Sequence, residues 1–112
     1  MIGTGDVTEK KSGPGFYKAK NSVLYGVTNR TLAKAEDYAK RHHVEKVFAS
    51  VDDLLADPKV DAVYIATPPG SHATFAIMAM KAGKPVYVEK PLAVSYEECC
   101  RINRVSQQTG VP

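Results

Sequence analysis

Apolar positions along this chain fall into two alternating kinds of stretch. Short β-branched and aromatic runs occupy residues 22–28, 47–49, 61–67 and 86–88. The nearly continuous apolar run at 22–28 suits a strand buried on both faces. Between them, apolar positions recur every three or four residues, the period of a helix. Leu32, Ala35, Ala39 and His42 share one such face, and Ala73, Ala76, Ile77 and Met80 share another. Punctuation agrees with this division. Thr31 or Asn29 caps the first of these helices, Ser50 opens a turn carrying Asp52 and Asp53, and Asp57-Pro58 closes it. Ser71 caps the next helix and Gly83 stops it. Ser95 with Glu98 forms a capping box for a helix that runs to about Thr109 and ends at Gly110. Strand and helix in strict alternation predict an α/β fold with a doubly wound parallel sheet. In such sheets ligands bind along the rim formed by the carboxyl ends of the strands.

The start of the chain carries the first chemistry. Met1-Ile2 reads as the end of a strand, followed by Gly3-Thr4-Gly5 and then Asp6, Val7 and Thr8. A Gly-x-Gly turn there permits close approach of a pyrophosphate, although Thr8 stands where a third glycine is usual. A helical turn should begin at Asp6. Gly13-Pro14-Gly15 predicts a break, with a second helical piece over residues 16–19. Lys10 reads as solvated surface, while Lys11 and Ser12 could face the cleft. His42 and His43 either complement the dipole of their helix or stand in solvent.

Three further strand ends bear polar residues. Residues 22–28 lead into Asn29-Arg30, where the dinucleotide fingerprint expects a carboxylate for the ribose hydroxyls. An arginine suits a 2′-phosphate instead, so NADP is expected and NAD remains possible. Residues 61–67 end in Pro68-Pro69-Gly70, and His72 follows; it either touches ligand or is an exposed neighbour of the cap, and spacing does not separate the two. Val86-Tyr87-Val88 ends in Glu89-Lys90-Pro91, where proline should halt the strand and leave Glu89 and Lys90 on the rim.

Composition narrows the function classes. The formal charge of +3 is mild and the lysines are scattered, which argues against nucleic-acid binding. No apolar run approaches membrane-spanning length and no signal peptide opens the chain, so a cytoplasmic location is expected. Cys99 and Cys100 are neighbours with no CxxC partner and no His at ligand spacing, so no metal site is expected. At 112 residues the chain is one domain.

Gly3-Thr4-Gly5, Asn29-Arg30, residues 63–68, Ser71-His72 and above all Ala82-Gly83-Lys84-Pro85-Val86-Tyr87-Val88-Glu89-Lys90-Pro91 resemble the nucleotide-binding domain of the glucose–fructose oxidoreductase/inositol dehydrogenase (Gfo/Idh/MocA) family. The resemblance implies a Rossmann domain over residues 1–112, lacking most of its first strand and a following substrate domain. It implies that the cofactor is held by Gly3, Thr4, Gly5, Asp6 and Val7, by Asn29 and Arg30, and by Thr67, Pro68, His72, Glu89 and Lys90. It also implies hydride transfer between the nicotinamide and a sugar, polyol or related hydroxy compound, in a homo-oligomer. Lys90 would be the catalytic residue, near the substrate hydroxyl, where partial burial would tune it; Glu89 would orient it or contact the ribose. The other reading of the same residues is a nucleotide-binding or interaction module without turnover.

Overall fold

The computed structural model describes residues 1–112. Its strands are Gly26–Val27 (β1), Lys46–Val47 (β2), Val63–Ile65 (β3) and Val86–Val88 (β4). β1 pairs with β2 and β3 with β4, all parallel. Ile2 joins the two pairs by parallel bridges to Thr28 and Ile65. Gly3 N–H donates to Thr28 O at 2.9 Å, and Ala66 N–H donates to Ile2 O at 2.9 Å. The order is therefore β2, β1, the Met1–Gly3 segment, β3, β4. The doubly wound parallel sheet is present, with the chain's first residues at its centre.

The paired strands are shorter than the apolar runs. Residues 22–24 lie outside the ladder, and Val23 is 79% exposed rather than buried on both faces. Pairing needs a neighbour alongside. β2 offers only two residues and the Met1–Gly3 segment little more, so residues 26–28 are the part that both neighbours reach.

Helices cover both faces. One face packs Met1, Leu24, Val27 and Tyr64 against Ala35, Tyr38 and Ala39 of α2 (Leu32–His42). The other packs Ile2, Val63 and Ile65 against α3 (Val51–Ala56), α4 (His72–Lys81) and α5 (Tyr96–Thr109). Met1 and Ile2, like Tyr64 and Ile65, are successive residues on opposite faces, as strand geometry dictates. Ala73, Ala76 and Ala79 of α4 are buried small residues that let this helix lie close to the sheet. Cys99 and Cys100 are half-buried free thiols on α5. No helix is long and apolar enough to cross a membrane.

The expected break at Gly13-Pro14-Gly15 does not occur. Residues 6–18 are continuously helical, with a π-helical turn at Thr8–Ser12 leading into α1 (Gly13–Lys18). Gly13 N–H reaches back to Thr8 O, five residues away, which widens the turn. Pro14 then falls in the first turn of α1, where its missing N–H is tolerated. Gly13 is buried, and a Cβ there would collide with the Tyr38 hydroxyl and the Thr8 carbonyl. Tyr38 in turn donates to Thr8 O at 2.8 Å. The close helix packing expected of a third fingerprint glycine is thus supplied here by Gly13, against α2.

His42 is not a solvated helix end. Its Nε2 lies 2.7 Å from Glu9 Oε2, its ring stacks on Tyr38 and its Nδ1 lies 3.3 Å from the Tyr17 hydroxyl. Arg41 also grips Glu9 through both terminal nitrogens. These contacts hold Glu9 at a pKa of about 2, chiefly through Arg41 with His42 adding. His43, at a φ of 55°, takes the left-handed position that ends α2.

Candidate functional site

The carboxyl ends of β1, β2 and β3 and of the Met1–Gly3 segment open on one cleft of about 650 Å³. Gly3, Thr4 and Gly5 form its floor, Asn29 and Arg30 one wall, and Thr67 and Pro68 the other. Seven of the expected residues are thereby brought together around one space.

The glycines differ in their reasons. Gly3 has a φ of +94°, and a Cβ on it would stand 2.8 Å from Ala66 O, so both conformation and room call for glycine. Gly5 has nothing within 4 Å of where its Cβ would be. The open space above Gly5 is where a ligand can meet the start of the helix at Asp6, whose first N–H groups lack intrahelical partners. Asp6 and Val7 open that helix beside the cleft, but their side chains do not line it. A carboxylate at Asp6 would repel a phosphate, so the main-chain N–H groups are what this pair can offer.

Asn29 braces the wall. Its Nδ2 donates to Thr4 Oγ1 at 2.7 Å and its Oδ1 accepts from Thr31 N–H at 2.9 Å. Of the two expected caps, Thr31 makes no side-chain bond, and Asn29 serves the helix start through this Asx turn instead. It fixes the glycine turn to the tip of β1 and leaves Arg30 exposed at the mouth. Lys34, in the first turn of α2, lines the same wall, and no carboxylate lines the cleft anywhere.

On the opposite wall Ser71 Oγ is hydrogen-bonded to Thr67 Oγ1 at 2.6 Å and to Pro68 O at 2.9 Å, and makes no cap bond to α4. Ser50 and Ser95 do cap as expected, accepting from Asp53 and Glu98 N–H. The Glu98 carboxylate returns to Val94 N–H rather than to Ser95, one residue short of a regular capping box.

Glu89 and Lys90 stand on the same rim at the end of β4, adjacent to the cleft rather than lining it. Glu89 Oε1 accepts from the Tyr64 hydroxyl at 2.5 Å, and Oε2 accepts from Lys90 N–H at 3.2 Å. The carboxylate therefore fixes Lys90 through its main chain, not through its ammonium. Tyr64's hydrogen bond holds the Glu89 carboxyl below the usual range. Burial, with Glu89 adding, pushes the Tyr64 phenol up to about 12. Tyr64 is packed between Phe16, edge-on at 5.0 Å, and Tyr87, stacked at 5.5 Å. The Lys90 side chain is exposed, so the partial burial expected for it is not found.

His72 is placed differently from either expectation. It is 1% exposed, with Nδ1 2.8 Å from Pro91 O and Nε2 2.7 Å from Thr67 O. Both nitrogens are occupied by main-chain carbonyls, so the ring supports the rim from behind and has no polar atom to offer a cofactor.

Several lining residues escaped the sequence reading: Lys34, Ser50, Val51 and Phe75. Lys34 was legible, because it falls in the first turn of the helix that follows directly on Asn29-Arg30. Ser50 and Val51 follow β2, whose end opens on the rim like those of its neighbours.

Residues 1–112 match throughout the family described as the Gfo/Idh/MocA oxidoreductase family, NAD-binding Rossmann fold. The chain is 45% identical over 98 residues to Oxidoreductase P35 of Formosa agariphila, covering 88% of this chain and 30% of that protein. It is 36% identical over 104 residues to the scyllo-inositol 2-dehydrogenase (NAD(+)) of Bacillus subtilis, covering 87% of this chain and 30% of that one. Among solved structures, the 3-ketoreductase KijD10 of Actinomadura kijaniata in complex with NADP superposes with a TM-score of 0.90 at 28% identity, over 98% of this chain and 35% of that one. The chain thus spans about a third of the length of the relatives it matches. From the glycine turn through the Glu89-Lys90-Pro91 rim, this chain belongs to the Gfo/Idh/MocA oxidoreductase family and is its NAD(P)-binding Rossmann domain.

Proposed function

We propose that the chain is the cofactor-binding part of an NADP-preferring oxidoreductase that exchanges hydride between the nicotinamide and a sugar, polyol or related hydroxy compound. The observation that carries the preference is the charge of the cleft: Arg30 and Lys34 line it and no carboxylate does. A 2′-phosphate would meet two cations, Arg30 forking two hydrogen bonds to its oxygens and Lys34 adding a point charge. A free ribose 2′-hydroxyl would lack the acidic partner that NAD sites provide. The main-chain N–H groups at Gly5, Asp6 and Val7 would face the pyrophosphate. The kinship with an inositol dehydrogenase and a 3-ketoreductase supports the hydroxy-compound class of substrate.

When bound, the nicotinamide supplies or accepts the hydride. Lys90, exposed on the rim and tethered through its N–H to Glu89, would place its ammonium against the substrate hydroxyl and stabilise the alkoxide as the hydroxyl proton passes to solvent. Glu89 would act through Lys90 rather than as the base, since both its oxygens are engaged within the fold. Half-buried free thiols on α5 suit a reducing, cytosolic setting and a homo-oligomeric parent has its surface in the exposed Tyr87, Val94 and Tyr96. A module that binds without turnover is favoured by one feature, the exposure of Lys90. The two readings separate in a full-length Lys90→Ala protein, which should bind NADPH normally and lose turnover.

Parallel titrations with NADPH and NADH test the cofactor reading. NADPH should bind tighter, and Arg30→Ala should remove roughly 1.4 kcal/mol or more, a tenfold change, from NADPH alone. Equal affinities in the unaltered chain would remove the 2′-phosphate assignment.

A further inference from the structure

Two carbonyl oxygens face one buried ring at His72, one from each of two loops on the rim. Nδ1 lies 2.8 Å from Pro91 O and Nε2 lies 2.7 Å from Thr67 O. Carbonyl oxygens only accept, and a neutral imidazole carries a single N–H. In a neutral ring, one bare nitrogen would point its lone pair at a carbonyl oxygen within hydrogen-bonding distance. Both contacts are satisfied only when both nitrogens donate. We propose that His72 is a positioning residue, an imidazolium bridge that ties the Thr67 wall of the cleft to the Lys90-Pro91 turn and so sets where Lys90 stands beside the cofactor.

The surroundings are consistent with a buried charge. The ring is 1% exposed, and a cation so placed needs hydrogen bonds and a counter-charge. Two charge-assisted bonds to carbonyls supply the first. Glu89 supplies the second: the charges of Lys90 and His72 help to keep its carboxyl ionised, after the larger effect of the Tyr64 hydroxyl. From the turn just before α4 the neighbour is the neutral Ser71, which closes the same wall by bonding Thr67 and Pro68. Thr67, Glu89, Lys90 and Pro91 are thereby held in one network with His72 at its hub. The loop that carries Lys90 has no other polar side chain reaching back from Pro91 O to the cleft wall. That Lys90 is the residue being positioned rests on the proposed function; the bridge itself does not.

The test is a long-range proton–nitrogen correlation spectrum of the histidine-labelled chain at neutral pH, with His72→Phe used to assign the signals. Both His72 nitrogens should show the shift and coupling of protonated nitrogen. A neutral tautomer, with one nitrogen in the unprotonated range, would overturn the proposal. A second variant, His72→Asn, keeps one donor of the bridge and reads its consequence. Amide signals at Thr67, Lys90 and Leu92 should move together while those at Gly5 and Arg30 stay in place, and NADPH affinity should change by less than about threefold. In the full-length protein the same substitution should lower kcat more than tenfold with KM for NADPH unchanged, and it should not respond to restoring the thermal midpoint. Shifts confined to Thr67, or an unchanged kcat, would contradict a positioning role. Failure of NADPH to bind the unaltered chain would defeat the cofactor reading and leave the bridge to be judged on the nitrogen spectrum.

Discussion

Glu89 shows how a rim carboxylate can be engaged without touching its neighbour's ammonium. Its oxygens take a phenol from β3 and a main-chain N–H from Lys90, so its charge is fixed in place. Tyr64→Phe removes the shorter of these bonds. The expected cost is about 1–2 kcal/mol of unfolding free energy, measured by urea titration, because a hydrogen bond to a charged group from a buried donor is lost. The Glu89 carboxyl should then titrate closer to its ordinary value, which carbon-detected NMR would follow; an unmoved titration would show that Tyr64 does not hold it. Lys34→Ala should weaken NADPH binding less than Arg30→Ala and leave NADH unaffected, in the same titrations that compare the two cofactors. Arg30 could be read from the chain because it stands at a fixed place after a strand. The Tyr64–Glu89 bond could not, since it joins residues 25 apart and depends on β3 and β4 pairing Tyr64 with Tyr87. His72 was open to two readings for a similar reason: its partners are carbonyls, and every residue has one.

Among the elements, the helix after the glycine turn departs most from expectation. Gly-Pro-Gly is ordinarily a stop signal, yet here a wide turn carries the helix through it. Proline is visible in a sequence, whereas the Tyr38 hydroxyl that fills the space beside Gly13 arrives from another helix. Two effects compete in Gly13→Ala. Alanine favours helix by about 0.5–1 kcal/mol, but its methyl must displace the Tyr38 ring and the Thr8 carbonyl, and overpacking of this kind costs about 1–3 kcal/mol. The substitution should therefore lower the thermal midpoint; a raised midpoint would mean that Gly13 serves only as a helix breaker. Gly5→Ala has no such collision, because the space is open. Its effect should appear in cofactor affinity rather than in stability. Strand ends, the Ser50 and Ser95 caps and the α4 face were legible because their signals are local; strand lengths were not, because pairing extends only as far as the neighbour.

At the scale of the whole molecule, two clamps tie the layers together. Glu9 joins the first helix to Arg41 and His42 of α2, and Asp57 joins the end of α3 to Lys46 of β2. Both carboxyls lie at about 2 when folded, Glu9 through Arg41 and Asp57 through Lys46. Their folded values lie below the ordinary ones of 4.5 and 3.8, so protons bind the unfolded chain more readily. Stability from these groups is complete above pH 4.5 and is lost as pH falls toward 2. Urea midpoints measured against pH should hold steady down to that point and then drop. Glu9→Gln should lower the plateau and make the acid fall shallower. Equal slopes in both proteins would show that Glu9 is not part of the clamp. The parallel sheet was readable from alternation, and the cleft followed from it, because every strand of a parallel sheet ends on one rim.

NADP(H) held in this cleft would lie along its glycine turn and its cationic wall. The most direct measurement is the amide spectrum of the nitrogen-labelled chain during titration with NADPH. Saturable shifts at Gly3, Gly5, Arg30, Lys34 and Thr67, with α5 and the far end of α2 unmoved, are the result predicted. Shifts clustered away from those residues, or none at saturating NADPH in a folded chain, would contradict it.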